Sequence, residues 1–245
     1  MCIRDRCNGY FCSIYDKYFS KFNSTIEAYD NWEKHVSSFG VGRYMNNDFI
    51  TGSTGRLPES SYFQKLYRGS WNANTIISMS IGQGELLLTP IQMANLTTII
   101  ANKGFYYTPH IIKSIGGEKN IDTNFTTKKF CSIESKNFIP IIKGMREVTE
   151  GKEGTAKTAK IPGVEICGKT GTAQNPHGDD HSIFIAFAPM EDPKIAIAVY
   201  IENGGWGSTW AVPIGSLMIE KYLNKKITNI MQEEFILNGN LVGER

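Results

Sequence analysis

Four consecutive residues of this 245-residue chain have the types and spacing that a reaction would need: Lys169-Thr170-Gly171-Thr172. They follow Val164, Ile166 and Cys167, which suit a strand. A cation, a hydroxyl, a residue without a side chain and a second hydroxyl then stand in a row. On an open strand edge, Lys169 could supply charge to a bound carboxylate and to proton traffic near a nucleophile. Thr170 and Thr172 could donate hydrogen bonds, and Gly171 would let an extended peptide approach closely enough to pair with the strand.

A different chemistry competes for the same letters. Gly163 through Thr170, GVEICGKT, satisfies the phosphate-binding pattern G-x-x-x-x-G-K-[ST]. That pattern works only with a flexible glycine loop and a helix opening directly after Lys-Thr, so that backbone N–H groups converge on phosphate. Here the middle residues read as strand, and Gly-Thr-Ala-Gln-Asn-Pro follows. The nucleotide reading stays as the low-ranked alternative.

The elements that must position the four residues come next. Ile183–Met190 and Ile195–Ile201 are short, nearly continuous apolar runs, as expected of buried strands. Glu191-Asp192-Pro193-Lys194 separates them with a turn signal, so the sequence predicts an antiparallel hairpin. With the Lys-Thr-Gly strand in front, the unit is three-stranded and antiparallel.

Several helices are predicted around it. Phe11, Ile14, Tyr15, Tyr18, Phe19 and Phe22 recur at helical spacing as a core face. Ser24 and Glu27 form a capping-box signal for a helix that Gly40 can end. Residues 41–80 read mostly as loop. Thr89, Pro90 and Gln92 open the clearest helix, with Gly104 beyond its end. A small strand excursion is expected over 105–136, then a helix from Asn137 to Thr149 with Ile141, Ile142, Met145 and Val148 inward. Gly154-Thr155-Ala156 follows that helix. Pro213 opens a last helix whose stripe is Ile214, Leu217, Met218 and Tyr222.

The order of these segments resembles the C-terminal half of class B penicillin-binding proteins. GKTGTAQN, HSIFIAFAPMEDPKIAIAVYIENGG and a terminal helix carry the likeness, with SIGQGELLLTPIQMANLTTIIANKG (Ser80–Gly104) upstream. Gln83-Gly84 and Thr89 to Ala94 follow the elongation-type branch of that family. The resemblance covers roughly residues 7–224, and it makes Gly154-Thr155-Ala156 the turn that the family often has before its Lys-Thr-Gly strand. It implies an α+β fold of the β-lactamase/transpeptidase type, with an antiparallel sheet flanked by helices. It also implies a serine acyl-enzyme that cross-links D-Ala-D-Ala stem peptides of peptidoglycan and is acylated by β-lactams, with no metal or organic cofactor. Lys169 takes a catalytic role by this likeness, and Thr170, Gly171 and Thr172 line the substrate. Cys7-Asn8-Gly9 resembles the family's Ser-x-Asn motif, which makes Asn8 a second catalytic candidate, although the expected Ser falls on Arg6. A helix N-cap is the plainer reading of Asn8.

The family's nucleophile is a Ser three residues before a Lys on a helix, where the amine can take the hydroxyl proton. No Ser in this chain has Lys at the third following position. The expectation is an N-terminally truncated domain without its first two strands and its nucleophile helix. Residues 1–6 then form a foreign or truncated start, 7–224 a partial transpeptidase domain and 225–245 a polar tail. The resemblance further implies a membrane-anchored parent at the periplasmic face of the bacterial inner membrane, its anchor outside this chain. A glycosyltransferase of the elongation machinery is the implied partner. A serine β-lactamase or β-lactam sensor of the same fold is the nearer alternative, and a catalytically silent binding module the more distant one.

Composition bounds the rest. With 41% apolar and 20% charged residues and a net charge of +2, the chain has the make-up of an ordinary globular protein. Lys and Arg are scattered rather than clustered, which argues against nucleic-acid binding. Cys2, Cys7, Cys12, Cys131 and Cys167 show no C-x-x-C spacing and read as small buried hydrophobes. His177, Asp179, Asp180 and His181 invite a metal reading, but their spacing fits no zinc pattern and they sit in a Gly/Pro/Asn loop.

Overall fold

The computed structural model describes residues 8–48, 52–114, 116 and 122–241. The foreign-looking start, with Arg6, Cys2 and Cys7, lies outside them. The chain divides into two compact units, Met1–Ile99 with Gly104–Glu134 and Ile100–Lys103 with Ser135–Arg245.

The first unit is helical. Helices α1 (Asn8–Phe19), α2 (Thr25–Ser37) and α3 (Ser60–Leu66), with a 3-10 segment at Ala73–Ile81, enclose an aromatic core of Tyr15, Phe19, Tyr29, Phe63 and Trp71. Edge-to-face pairs such as Tyr29–Phe63 (5.2 Å) and Tyr29–Trp71 (5.7 Å) set its packing. Phe11 and Ile14, expected in the core face of α1, are 49% and 45% exposed. The capping signals of α2 hold: Glu27 N donates to Ser24 Oγ (3.1 Å), and Asn23 N donates back to Glu27 Oε2 (3.3 Å). Residues 41–80 contain more helix than their composition predicts. Asn72 caps the 3-10 segment by accepting from Asn74 N and Thr75 N, while its own N–H donates to Thr75 Oγ1.

Helix α4 (Pro90–Ala101) starts at the predicted box. Gln92 N donates to Thr89 Oγ1 (3.3 Å), and Thr89 N donates to Gln92 Oε1 (3.1 Å). The buried Gln92 amide also donates to Arg43 O and Thr54 O, so one side chain pins two loop segments. Beyond it lie β1 (Phe105–Tyr106), the single-turn α5 (Thr123–Thr126) and β2 (Lys129–Phe130), with β1 and β2 paired antiparallel.

The second unit holds the sheet. Strands β3 (Cys167–Ala173), β4 (His181–Ala188) and β5 (Ile195–Ile201) run antiparallel in the order β3-β4-β5, as the sequence predicts. Cross-strand partners share a face. Gly168–Ala186–Ile197 and Thr170–Phe184–Val199 therefore lie on one side, where Phe184, Ala186, Ile197 and Val199 are buried. Lys169–Ile185–Ala198 and Gly171–Ile183–Tyr200 lie on the other, half-buried. Helix α7 (Ala211–Asn224) packs on β4 and β5, and α6 (Phe138–Glu150) packs on β3. The core between them gathers Val148, Ala156, Ile166, Phe184, Val212 and Ile219.

Two predicted helix faces are corrected. On α6, Ile142, Met145 and Val148 are buried, but Ile141 is 51% exposed and Phe138 takes the inner position. On α7, Leu217 is buried, yet Met218 and Tyr222 are about half exposed, and the inner face is Val212, Gly215, Ser216, Ile219 and Glu220. The tail expected beyond Lys225 carries one more helix, α8 (Ile230–Leu237). Its Phe235 stacks on Trp210 at 5.2 Å, and Gln232 Nε2 donates to Pro213 O.

Candidate active site

Lys169, Thr170, Gly171 and Thr172 all fall within β3, whose one sheet partner among the described residues is β4. The opposite edge of this strand has no strand partner there. The fold determines where β3 lies through α6. At its C-terminal end Thr149 Oγ1 donates to Ile166 O, one residue before the strand begins. Arg146, one turn earlier, clasps Glu165 Oε1 through Nε (2.9 Å) and Nη2 (2.7 Å). The turn after α6 returns to the same strand, with Thr155 Oγ1 3.0 Å from Thr170 Oγ1.

Along β3 the side chains alternate. Cys167 is fully buried, and burial pushes its thiol up to about 12, with the Glu165 carboxylate adding to the shift. It is inert packing and not a nucleophile. Gly168 has no room for a side chain: a Cβ there would stand 2.6 Å from the Phe184 ring. Lys169 follows, half-buried, and its Nζ donates to Thr170 O at 2.7 Å. The ammonium thus lies along the strand it belongs to, beside the Thr170 backbone. Gly171 lies under the loop after β5, because a Cβ on Gly207 would be 2.6 Å from both Gly171 O and Ile183 O. The missing side chain of Gly207 lets loop and strand touch backbone to backbone.

The strand context disposes of the nucleotide reading. β3 continues through Ala173, where a phosphate loop would need a helix to begin. The polar loop after β3 is tied up internally. Asn175 N donates to Asp180 Oδ1, Asn175 Nδ2 donates to Asp179 O and to Asn203 Oδ1, and Asn203 N donates to His181 Nδ1. His181 thereby has its Nδ1 as an acceptor and its ring against Tyr200. Among the described residues, no group of three His, Cys, Asp or Glu is placed to hold a metal ion. Ser182 Oγ donates to Trp206 O and accepts from Ala211 N, which makes it a fastener for the start of α7.

Asn8 is exposed and is the first residue of α1, in the other compact unit. That unit also holds a cleft of about 330 Å³ lined by Arg43, Tyr44, Asn47, Thr89 and Gln92. Its cation is already paired, Arg43 Nη2 lying 2.5 Å from Glu33 Oε1, and Gln92 is committed to backbone. Thr155 is the neighbour of Thr170 that sequence reasoning did not single out. By the resemblance Gly154-Thr155-Ala156 is a turn, but nothing in the letters reveals that it meets a strand residue fifteen positions on.

Comparison with known proteins gives the family of the chain. Residues 16–220 match the family described as penicillin-binding protein transpeptidase domain. The chain is 30% identical over 240 residues to the peptidoglycan D,D-transpeptidase MrdA of Haemophilus influenzae, covering 88% of this chain and 36% of that protein. Among solved structures it resembles Pseudomonas aeruginosa PBP2 in complex with WCK 5153, with a TM-score of 0.75 and 30% identity over 88% of this chain and 45% of that one. It also resembles Helicobacter pylori PBP2 in its complex with MreC, with a TM-score of 0.70 and 28% identity, covering 91% of this chain and 38% of the other. The chain spans about a third of the length of the curated relative.

Proposed function

The chain belongs to the penicillin-binding protein transpeptidase domain family, and from that premise we propose that it supplies the Lys-Thr-Gly wall of a peptidoglycan D,D-transpeptidase. The observation that carries the reading is the β3 edge. Lys169 and the Thr170 hydroxyl stand on a strand with no strand partner on that edge among the described residues. An extended stem peptide ending in D-Ala-D-Ala can add to such an edge through its backbone, while its terminal carboxylate meets the Thr170 and Thr172 hydroxyls and the Lys169 charge. A serine hydroxyl then attacks the penultimate carbonyl, the C–N bond breaks, and the terminal D-Ala leaves with the proton. An acceptor amine next takes the acyl group and returns the proton to the serine. No Ser-x-x-Lys occurs in these 245 residues, so the nucleophile must come from sequence outside them. Asn8 is the second catalytic residue of this reading, by its likeness to the Asn of a Ser-x-Asn motif.

The wider reading is an elongation-type enzyme at the periplasmic face of the bacterial inner membrane, working with a glycosyltransferase and open to acylation by β-lactams. Its likeness to a relative named D,D-transpeptidase and to PBP2 structures, one of them with MreC, supports the elongation-type transpeptidase part of this reading. The test is exchange chemistry on the full-length protein carrying this chain. With a D-Ala-D-Ala peptide and a labelled D-amino acid, the terminal residue should exchange, as read by mass spectrometry. Rapid turnover of penicillin without exchange would instead identify a β-lactamase.

A further inference from the structure

We propose that Thr155 is a positioning residue for the Thr170 hydroxyl, fixing the direction in which it donates to a bound carboxylate. The inference rests on the reading of Thr170 as a substrate contact. The observation is the 3.0 Å approach of the two hydroxyl oxygens. A hydroxyl has one proton to give and two lone pairs. If Thr155 donates to Thr170, the Thr170 proton is left to point at an anion. If Thr170 donates to Thr155, that proton is consumed. A carboxylate in front of Thr170 selects the first arrangement, because a charge-assisted hydrogen bond is stronger than a neutral one and hydrogen bonds in series polarise each other.

Thr155 is built to stay in place. Gly154 lies against the end of α6 so closely that a Cβ would be 2.4 Å from Val148 O and 2.7 Å from Glu147 O. Ala156, fully buried, donates its N–H to Val148 O at 2.9 Å. Two residues further, the 3-10 turn Lys157–Ala159 is fastened to α7, where Ser216 Oγ donates to Ala159 O. The hydroxyl of Thr155 is thus presented to β3 from a turn clamped on both sides, and its partner on the strand is the Thr170 hydroxyl.

The test compares a penicillin as free acid with its methyl ester, using the full-length protein carrying this chain. Thr155→Val keeps the shape and removes the hydroxyl. It should lower the acylation rate constant for the acid by about three- to tenfold, the range of a single net hydrogen bond, and leave the ester within about twofold. Thr155→Ser should restore the acid rate, and Thr155→Val in a Thr170→Val background should add nothing. Thr155→Ala replaces the valine variant if valine does not fold. Equal losses for acid and ester, or no loss for either, would overturn the proposal and leave Thr155 as a structural residue. An unchanged acid-to-ester ratio in Thr170→Val alone would overturn the carboxylate role of Thr170 as well.

Discussion

A Cβ on Gly215 would stand 2.7 Å from Phe184 Cδ1 and 2.9 Å from Ile197 Cδ1. The absent side chain on α7 is what lets the helix seat directly on β4 and β5. Phe184 is fully buried and cannot step aside. Gly215→Ala should therefore cost about 1–3 kcal/mol of stability by overpacking, despite alanine's better helix propensity. Gly144→Ala on α6 is the control, since nothing lies within 4 Å of its Cβ position. It should gain up to about 1 kcal/mol. Urea unfolding of both variants gives the comparison, and a stabilising Gly215→Ala would refute the seating argument.

That helix also marks the limit of reading the sequence alone. The strands, their order and their hairpin were legible because apolar runs and Asp-Pro specify a local pattern. The α4 and α2 caps were legible because both partners lie within four residues. The buried face of α7 was legible only at Leu217, since large apolar residues also suggested Met218 and Tyr222, whereas close approach to the sheet selected Gly215 and Ser216. The same holds at the site. Lys169-Thr170-Gly171 announces itself as a tripeptide, but Thr155 joins it only through the turn after α6, and Gly207 only through the loop after β5. Contacts between distant segments leave no periodic trace.

Lys169 should matter to chemistry more than to folding. Its side chain is half-buried beside the strand edge, and its Nζ donates to Thr170 O within its own strand. Lys169→Ala in the full-length protein should slow acylation by fluorescent penicillin by about a hundredfold or more, as when a preorganised charge or proton-transfer group is lost. The melting temperature should change little. Near-normal acylation would make Lys169 a structural residue.

The 245 residues by themselves should take no covalent label from fluorescent penicillin. No serine in them has Lys at the third following position. A stable acyl adduct on any serine of this chain, located by peptide mass spectrometry, would contradict the assignment of the nucleophile to sequence outside it.

Alkaline conditions should weaken the second unit through Cys167. Burial raises its thiol from 9.0 to about 12 in the folded chain. The neutral thiol therefore stabilises the fold fully below pH 9, and that contribution is lost as pH rises toward 12, because only the unfolded chain releases the proton there. Cys167→Ala should flatten the fall in stability over this window. The native thiol should also resist DTNB at pH 8 and react once the protein is unfolded. Prompt modification of the native protein would mean that the end of β3 opens readily.

The last expectation concerns β5. Its one sheet partner among the described residues is β4, so the far edge of Ile195–Ile201 offers backbone donors and acceptors in a row. The strand reads IAIAVYI, with no charge and no proline, the usual protections of an edge. α7 covers the face of Ile197 and Val199 but leaves Ala198 half-buried on the other. An uncharged, strongly β-prone edge is a template for a second chain, so these 245 residues alone should self-associate. Ala198→Lys places a charge on the face away from α7 and should reduce the associated fraction without unfolding the core. Multi-angle light scattering of the two proteins measures this. A monomer whose amides at residues 195–201 are protected from exchange would rule the edge out as the cause, and would mean that another segment already occupies it.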